Sequence, residues 1–301
     1  MNKFSSLCSK IMIYLIIKNP KNTFDMKITI LCNNSVKTFS KCIGEHGFSA
    51  YIEIGKDSFL FDAGQGVGVI ENSIILKKDL RSIKSLILSH GHGDHCGGLE
   101  KVLRYRGAVT HVFAHPDIFT EKYSSLNKKL SFAGIPYRRE YLEALGAKFK
   151  FIRNFSKISN NVYVSGEIRR ANSFELPEKN LLVKNDKNKY EIDPLLDDNS
   201  MVIKTKKGLV LLVGCAHAGL VNIMDYISSK MNTNSFYAVI GGTHLKEANE
   251  ERVSKTVETL KRYNVSKIAT CHCTGLEKES ILKEKFGKKF FFAETGTELN
   301  I

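Results

Sequence analysis

The sequence predicts an α/β fold in which short apolar strands run into glycine-bounded turns and then into helices, and three observations carry that reading. Residues 83–88 form an Ile- and Leu-rich run too short for a helix, which ends at His90-Gly91-His92-Gly93-Asp94-His95 and gives way to a helical pattern from Gly98. The same order returns in the second half, where residues 208–213 run into Gly214-Cys215-Ala216-His217-Ala218-Gly219 and a helical stretch over 220–228. Two further strands, over 238–242 and 267–271, again end at a single histidine, His244 and His272. A chain of 301 residues is long enough to be one large α/β domain.

Taken in order, residues 1–25 read as an N-terminal extension, disordered or lightly docked. Its apolar run, 11–17, is far short of the roughly 20 residues a membrane span needs. Lys3 and Lys10 before it mimic a signal peptide, but no small-residue cleavage site follows. Met26 opens a better strand, MKITILC, with alternating polarity. Residues 46–55 and 58–61 pair as a hairpin across Lys56-Asp57, ending at Asp62-Ala63-Gly64. After the histidine-rich turn come a helix over 98–104 and a strand over 112–114 that ends in His115, expected to have a structural or rim role. The stretch 117–165 is basic and aromatic, with Lys122, Lys128, Lys129, Arg138 and Arg139 among Phe119, Tyr123, Phe132 and Tyr137, and is expected to form a lid-like insertion. A solvated face is the simpler alternative. Residues 162–175 give a strand, then Arg169-Arg170 and Glu175, and 176–192 read as polar loop. Asp197-Asp198-Asn199-Ser200 leads into a hairpin that turns at Lys206-Lys207-Gly208. A helix over 250–262 places Val253, Val257 and Leu260 on one face, residues 290–292 form a closing strand, and 294–297 finish the domain.

The chemistry concentrates in the first turn. His90 and His92, two apart at a strand end, project to one side of an extended backbone. Asp94 and His95 are adjacent and less easily aimed at the same point, so two neighbouring ions suit the spacing better than one; a single structural zinc or a chance polar loop is the alternative. Strand ends of an α/β fold gather at one crevice, which makes His217, His244 and His272 natural companions.

His90-x-His92-x-Asp94-His95 resembles the signature of the metallo-β-lactamase superfamily. That resemblance implies a four-layer αββα sandwich of two mixed β-sheets flanked by helices, one catalytic domain over 26–301, and one or two metals at the sheet edges. GEIRR with FE, DDNS, VGCAHAGLVN, VIGGTHL and ATCHCTG are together similar to the branch typified by the methanogen 7,8-dihydropterin-6-methyl-4-(β-D-ribofuranosyl)aminobenzene 5′-phosphate synthase. Carried over residue by residue, it implies His90, His92, Asp94, His95, His217 and His272 as metal ligands, with Asp62 orienting them by hydrogen bonds. Cys215 stands beside the ligands where familiar members place a bridging Asp, which leaves one or two ions open. His244 is either a ligand or a substrate contact, and Asp94 or His244 would relay protons.

The implied reaction joins a hydroxymethyl-dihydropterin diphosphate to 4-(β-D-ribofuranosyl)aminobenzene 5′-phosphate and releases diphosphate. The resemblance implies Mg²⁺, while the imidazole-rich set suits Zn²⁺, Fe²⁺ or Mn²⁺. Arg169 and Arg170 offer paired forks for substrate phosphate. The competing expectation is a metal-dependent hydrolase of a phosphodiester or ester, with a nuclease as one form of it. The net charge of +14, from 45 Lys and Arg against 31 Asp and Glu, favours small anionic partners. No nucleic-acid-binding motif accompanies it, so nucleic acid is not the expected partner. No membrane contact is expected, and a homo-oligomer is open. Seven cysteines, three of them (Cys215, Cys271, Cys273) beside histidines, argue for a reducing, cytoplasmic setting.

Overall fold

Strands that are apolar on both faces must be covered on both, and this requirement sets the layering. A computed structural model describes residues 26–126, 129–185 and 187–301; the expected extension over 1–25 lies outside the described residues, as does Lys128. In chain order, β1 (Met26–Cys32), β2 (Ser49–Ile54), β3 (Asp57–Phe61), α1 (Val69–Ile75), β4 (Ser85–Ile87), the single turn α2 (Gly93–Cys96), α3 (Leu99–Arg106) and β5 (Thr110–Ala114) build most of one sheet and its helices. After β6 (Lys122–Ser124), β7 (Ser131–Phe132) and α4 (Arg139–Ala144), β8 (Ala147–Phe151) closes that sheet's far edge. β9 (Ser156–Ser159) and β10 (Val162–Val164) begin the second sheet, and β11 (Leu181–Lys184) and β12 (Tyr190–Ile192) leave it again. β13 (Ser200–Thr205), β14 (Gly208–Val213), α5 (Leu220–Met231), β15 (Phe236–Gly242), α6 (Glu250–Arg262), β16 (Lys267–Cys271), α7 (Leu276–Phe286) and β17 (Phe290–Phe292) complete the second sheet. β18 (Glu298–Asn300) returns to pair with β1.

The sheet orders are β18-β1-β2-β3-β4-β5-β8 and β17-β16-β15-β14-β13-β10-β9. Both sheets are mixed, as expected. β14 shows how the layers are made: Val210 and Leu212 join Ile28, Ile30, Phe59 and Phe61 between the sheets. Its alternate residues Leu209, Leu211 and Val213 meet Ile223, Met224, Val257 and Leu260 of α5 and α6. On the opposite outer face Leu60, Leu86 and Val112 pack against Val69, Leu99, Val102 and Leu103 of α1 and α3. Each such side chain contributes about 1.5–3 kcal/mol on burial, so a period-2 pattern with no polar face holds the four layers together.

The parallel strands position the chemistry. β3 and β4 run parallel, as do β14, β15 and β16, so their C-terminal ends emerge along the facing edges of the two sheets. Asp62, His90, Cys215, His244 and His272 follow directly from those ends.

Several boundaries differ from expectation. The strand over 83–88 shortens to Ser85–Ile87, and α3 continues to Arg106, where Gly107 in the left-handed region ends it. α5 likewise runs on to Met231. Residues 176–192, expected as loop, hold β11 and β12, and β18 follows the expected end at 294–297. Within 117–165, α4, β8, β9 and β10 belong to the main layers; β6 and β7 alone stand apart, in a small antiparallel sheet ordered β12-β11-β6-β7. Among the described residues no helix is long and apolar enough to cross a membrane.

Candidate metal centre

His90 and His92 leave β4 together, and His217 reaches them from the loop after β14. Their ring centroids lie 4.7, 4.8 and 5.1 Å apart, and one nitrogen from each falls within 4.8 Å of the others. All three are buried, and Nε2 of His90, Nε2 of His92 and both ring nitrogens of His217 have no hydrogen-bond partner. A buried polar atom left unpaired costs about 1–3 kcal/mol, so three converging orphan nitrogens fit a divalent cation. Burial also holds His90 and His217 well below the usual imidazole value and brings His92 down to about 4. Burial thus favours the neutral imidazole, the form that ligates, at all three.

A second cluster surrounds Asp94. Its Oδ2 lies 3.2 Å from His272 Nε2, 3.2 Å from His46 Nε2 and 3.8 Å from His95 Nε2. Burial disfavours the Asp94 carboxylate, but the neighbouring imidazoles of His95, His272 and His46 outweigh it and hold the group well below its usual range. Burial likewise opposes charge on His95, yet Asp94 and Asp62 raise it to about 9. Cys215 lies between the clusters, its Sγ 3.1 Å from His95 Nε2. Burial works against a Cys273 thiolate, but the Cys215 thiol and the imidazoles of His244 and His272 bring it down to about 5.

A carboxylate and amide shell fixes these side chains. Asp62 accepts from Ser89 N and Oγ at 2.7 Å each and meets His95 Nδ1 at 2.7 Å. Asn34 Oδ1 lies 2.8 Å from His272 Nδ1, and Asn33 Oδ1 accepts from His272 N at 2.9 Å. Glu178 lies between His244 Nδ1, at 2.9 Å, and His217 Nδ1, at 3.5 Å. The Asp197-Asp198-Asn199 run ties the two loops: Asp197 accepts from Gly91 N at 2.8 Å, Asp198 from Ala218 N at 2.7 Å, and Asn199 N donates to Ser89 O. Burial lifts Asp198 to about 7. The backbone is correspondingly strained, with Asp62, Ala216, His244 and His272 at φ of 57°, 55°, 49° and 52°. Non-glycine residues pay for that conformation, and packing around a site is what sustains it. Gly214 is required by closeness: a Cβ there would sit 2.1 Å from Ser89 Oγ.

The structure therefore brings together His90, His92, His217 and Asp94, His95, His272, with Asp62 and Cys215 against them. Arg169 and Arg170 do not join them. Arg170 donates to Pro194 O at 2.7 Å and His217 O at 2.9 Å, so its guanidinium supports the loop that carries His217, while its Nε has no partner among the described residues. Arg169 lines an outer groove with Arg153, Lys230 and Arg262. Glu175 of the same motif caps α5, accepting from Val221 N and Asn222 N at 2.9 Å. Lys122, expected in a lid, is buried between Asp193 and Asp197 at 2.8 and 2.9 Å. His115 stands outside both clusters, its Nδ1 accepting from Asp117 N. Sequence reasoning missed His46, Glu178 and Cys273; Cys273 alone carried a signal, its place beside His272 at a strand end.

Residues 43–158 match the metallo-beta-lactamase superfamily. Across 282 residues, 88% of this chain and 93% of the relative, the sequence is 31% identical to the 7,8-dihydropterin-6-methyl-4-(beta-D-ribofuranosyl)-aminobenzene-5′-phosphate synthase of Methanocaldococcus jannaschii. An uncharacterized protein of the same organism is 33% identical over 83% of this chain and 91% of its own length. Among solved structures, one described as a metal-dependent hydrolase of the beta-lactamase superfamily superposes with a TM-score of 0.79 at 27% identity, covering 92% of this chain and 99% of that one. Fold, histidine clusters and near full-length similarity agree, and the chain belongs to the metallo-β-lactamase superfamily.

Proposed function

We propose that this protein is a metal-dependent transferase that joins a hydroxymethyl-dihydropterin diphosphate to 4-(β-D-ribofuranosyl)aminobenzene 5′-phosphate and releases diphosphate. The observation that carries the reading is a set of adjoining histidine-rich groups that could hold a metal, in a chain 31% identical to the named synthase over 93% of its length. Held by His90, His92 and His217 and by Asp94, His95 and His272, one or two divalent cations would supply positive charge where the leaving diphosphate develops negative charge.

The remaining work falls to the chain's own side chains. In the condensation the arylamine nitrogen bonds to the pterin methylene, the carbon–oxygen bond to diphosphate breaks, and the amine gives up a proton. His244 is the group placed to hold that proton: it is one-quarter exposed, and Glu178 engages its Nδ1, leaving Nε2 to exchange. Asp94 lies 3.2 Å from His46 Nε2 and holds that ring beside the centre, while Asp62 and Asn34 hold His95 and His272 through Nδ1 and leave their Nε2 atoms for the ion. Glu178 links His244 to His217, so proton-holding and ligand positioning depend on one carboxylate.

The test is a two-substrate assay on purified protein whose metal content has been measured. Condensed product formed only when both substrates are present supports the transferase. Diphosphate or phosphate released from the pterin substrate alone supports a hydrolase, the class to which the solved relative with a TM-score of 0.79 is assigned.

A further inference from the structure

We propose that Cys215 and Cys273 are themselves ligands of this centre, with Cys215 the donor shared by its two histidine sets, so that the resident ion is thiophilic, of the Zn²⁺ kind, and not Mg²⁺. The inference rests on the metal-dependent reading and sharpens it. Cys215 Sγ lies within 4.8 Å of ligand nitrogens of both His90 and His95, and also within 4.8 Å of His272 Nδ1 or Nε2 and Cys273 Sγ. It thus belongs to the first loop's histidines and to the last loop's donors at once. Cys273 Sγ lies in the same group as Cys215 and His272 and accepts from the His244 backbone N–H at 3.3 Å. Room has been left for that sulfur: a Cβ on Gly242 would sit 2.6 Å from Cys273 Sγ. Cys215 and Cys273 are free thiols.

Most of the carboxylate oxygens near the centre are committed elsewhere. Asp62 is held by Ser89 and His95, Asp197 by Gly91 and Lys122, and Asp198 by Ala218. Asp94, Glu178 and one oxygen of Asp198 are what remains among the clustered imidazoles and the two sulfurs, fewer oxygens than an octahedral shell takes. Mg²⁺ demands near-octahedral oxygen ligation, whereas sulfur and imidazole donors select zinc and its neighbours.

Cobalt substitution reads the donor type directly. Protein stripped of metal under reducing conditions is loaded with Co²⁺, its cobalt content is measured, and its near-ultraviolet spectrum is recorded. A sulfur-to-cobalt charge-transfer band is expected, losing most of its intensity in Cys215→Ser and part of it in Cys273→Ser. Bound cobalt without the band overturns the proposal and leaves the metal centre standing; failure to bind cobalt overturns the metal reading itself. An undiminished band in Cys215→Ser removes that residue as the shared ligand. Should the variants not fold, competition on the unmodified protein decides: one equivalent of Zn²⁺ bleaches the band while a large excess of Mg²⁺ does not, and bleaching by Mg²⁺ overturns the proposal.

Discussion

A metal ligand is only as good as the group behind it, and Asp62 stands behind two features of this centre. Its carboxylate fixes the His95 ring through Nδ1 and, through Ser89, the backbone entering the histidine turn. Asp62→Ala is expected to weaken metal binding by about 10–100-fold with the fold intact, the usual cost of losing such a partner. Competition against a chromophoric chelator measures it, and unchanged affinity would remove Asp62 from this role. Its position was legible, because a carboxylate closing an apolar strand before glycine is a local pattern. Glu178 offered none: it sits in a Pro-Glu-Lys stretch and becomes important only where folding sets it between His217 and His244. The contacts of Arg170 with two backbone carbonyls were hidden for the same reason, since they too arise only on folding.

At the scale of elements, the small sheet of β6, β7, β11 and β12 is coupled to the metal loop by a buried ion triad. Lys122 on β6 meets Asp193 and Asp197, and Asp197 in turn holds the Gly91 N–H between the first two histidines. β7 is followed by a second link, Gly93 N to Ala133 O at 2.8 Å. Lys122→Met leaves two carboxylates buried without a counter-charge and is expected to cost about 3–5 kcal/mol, read as a lower midpoint in urea. A loss below about 1 kcal/mol would show that Asp193 and Asp197 take up protons at no great penalty. Nothing local announces this triad, whose partners lie 71 and 75 residues from Lys122, and a lysine among aromatics reads as surface. By contrast, β14 and α6 were legible because their apolar residues repeat with periods of 2 and 3.6, and burial follows the repeat.

Over the whole molecule, the centre is assembled from loops of both sheets, so an ion bound there fastens one half of the sandwich to the other. Binding to the folded state alone stabilises it by about 2.7 kcal/mol at 100 times the dissociation constant. Chelation is therefore expected to lower the thermal unfolding midpoint, and a divalent ion restores it; a midpoint indifferent to chelator would show that the two halves need no such fastening. The convergence of His90, His217, His244 and His272 was readable because each follows an apolar strand, while the closing strand β18 was not, being three residues, Glu298–Asn300, of mixed polarity. His272 is held by Asn33 and Asn34 across separations of 239 and 238 residues. Since synthesis releases the N-terminal half first, the His90–His92 pair meets solvent long before its partners exist. A growing chain can take up an ion there only provisionally, and the finished coordination must wait for the last helices to leave the ribosome.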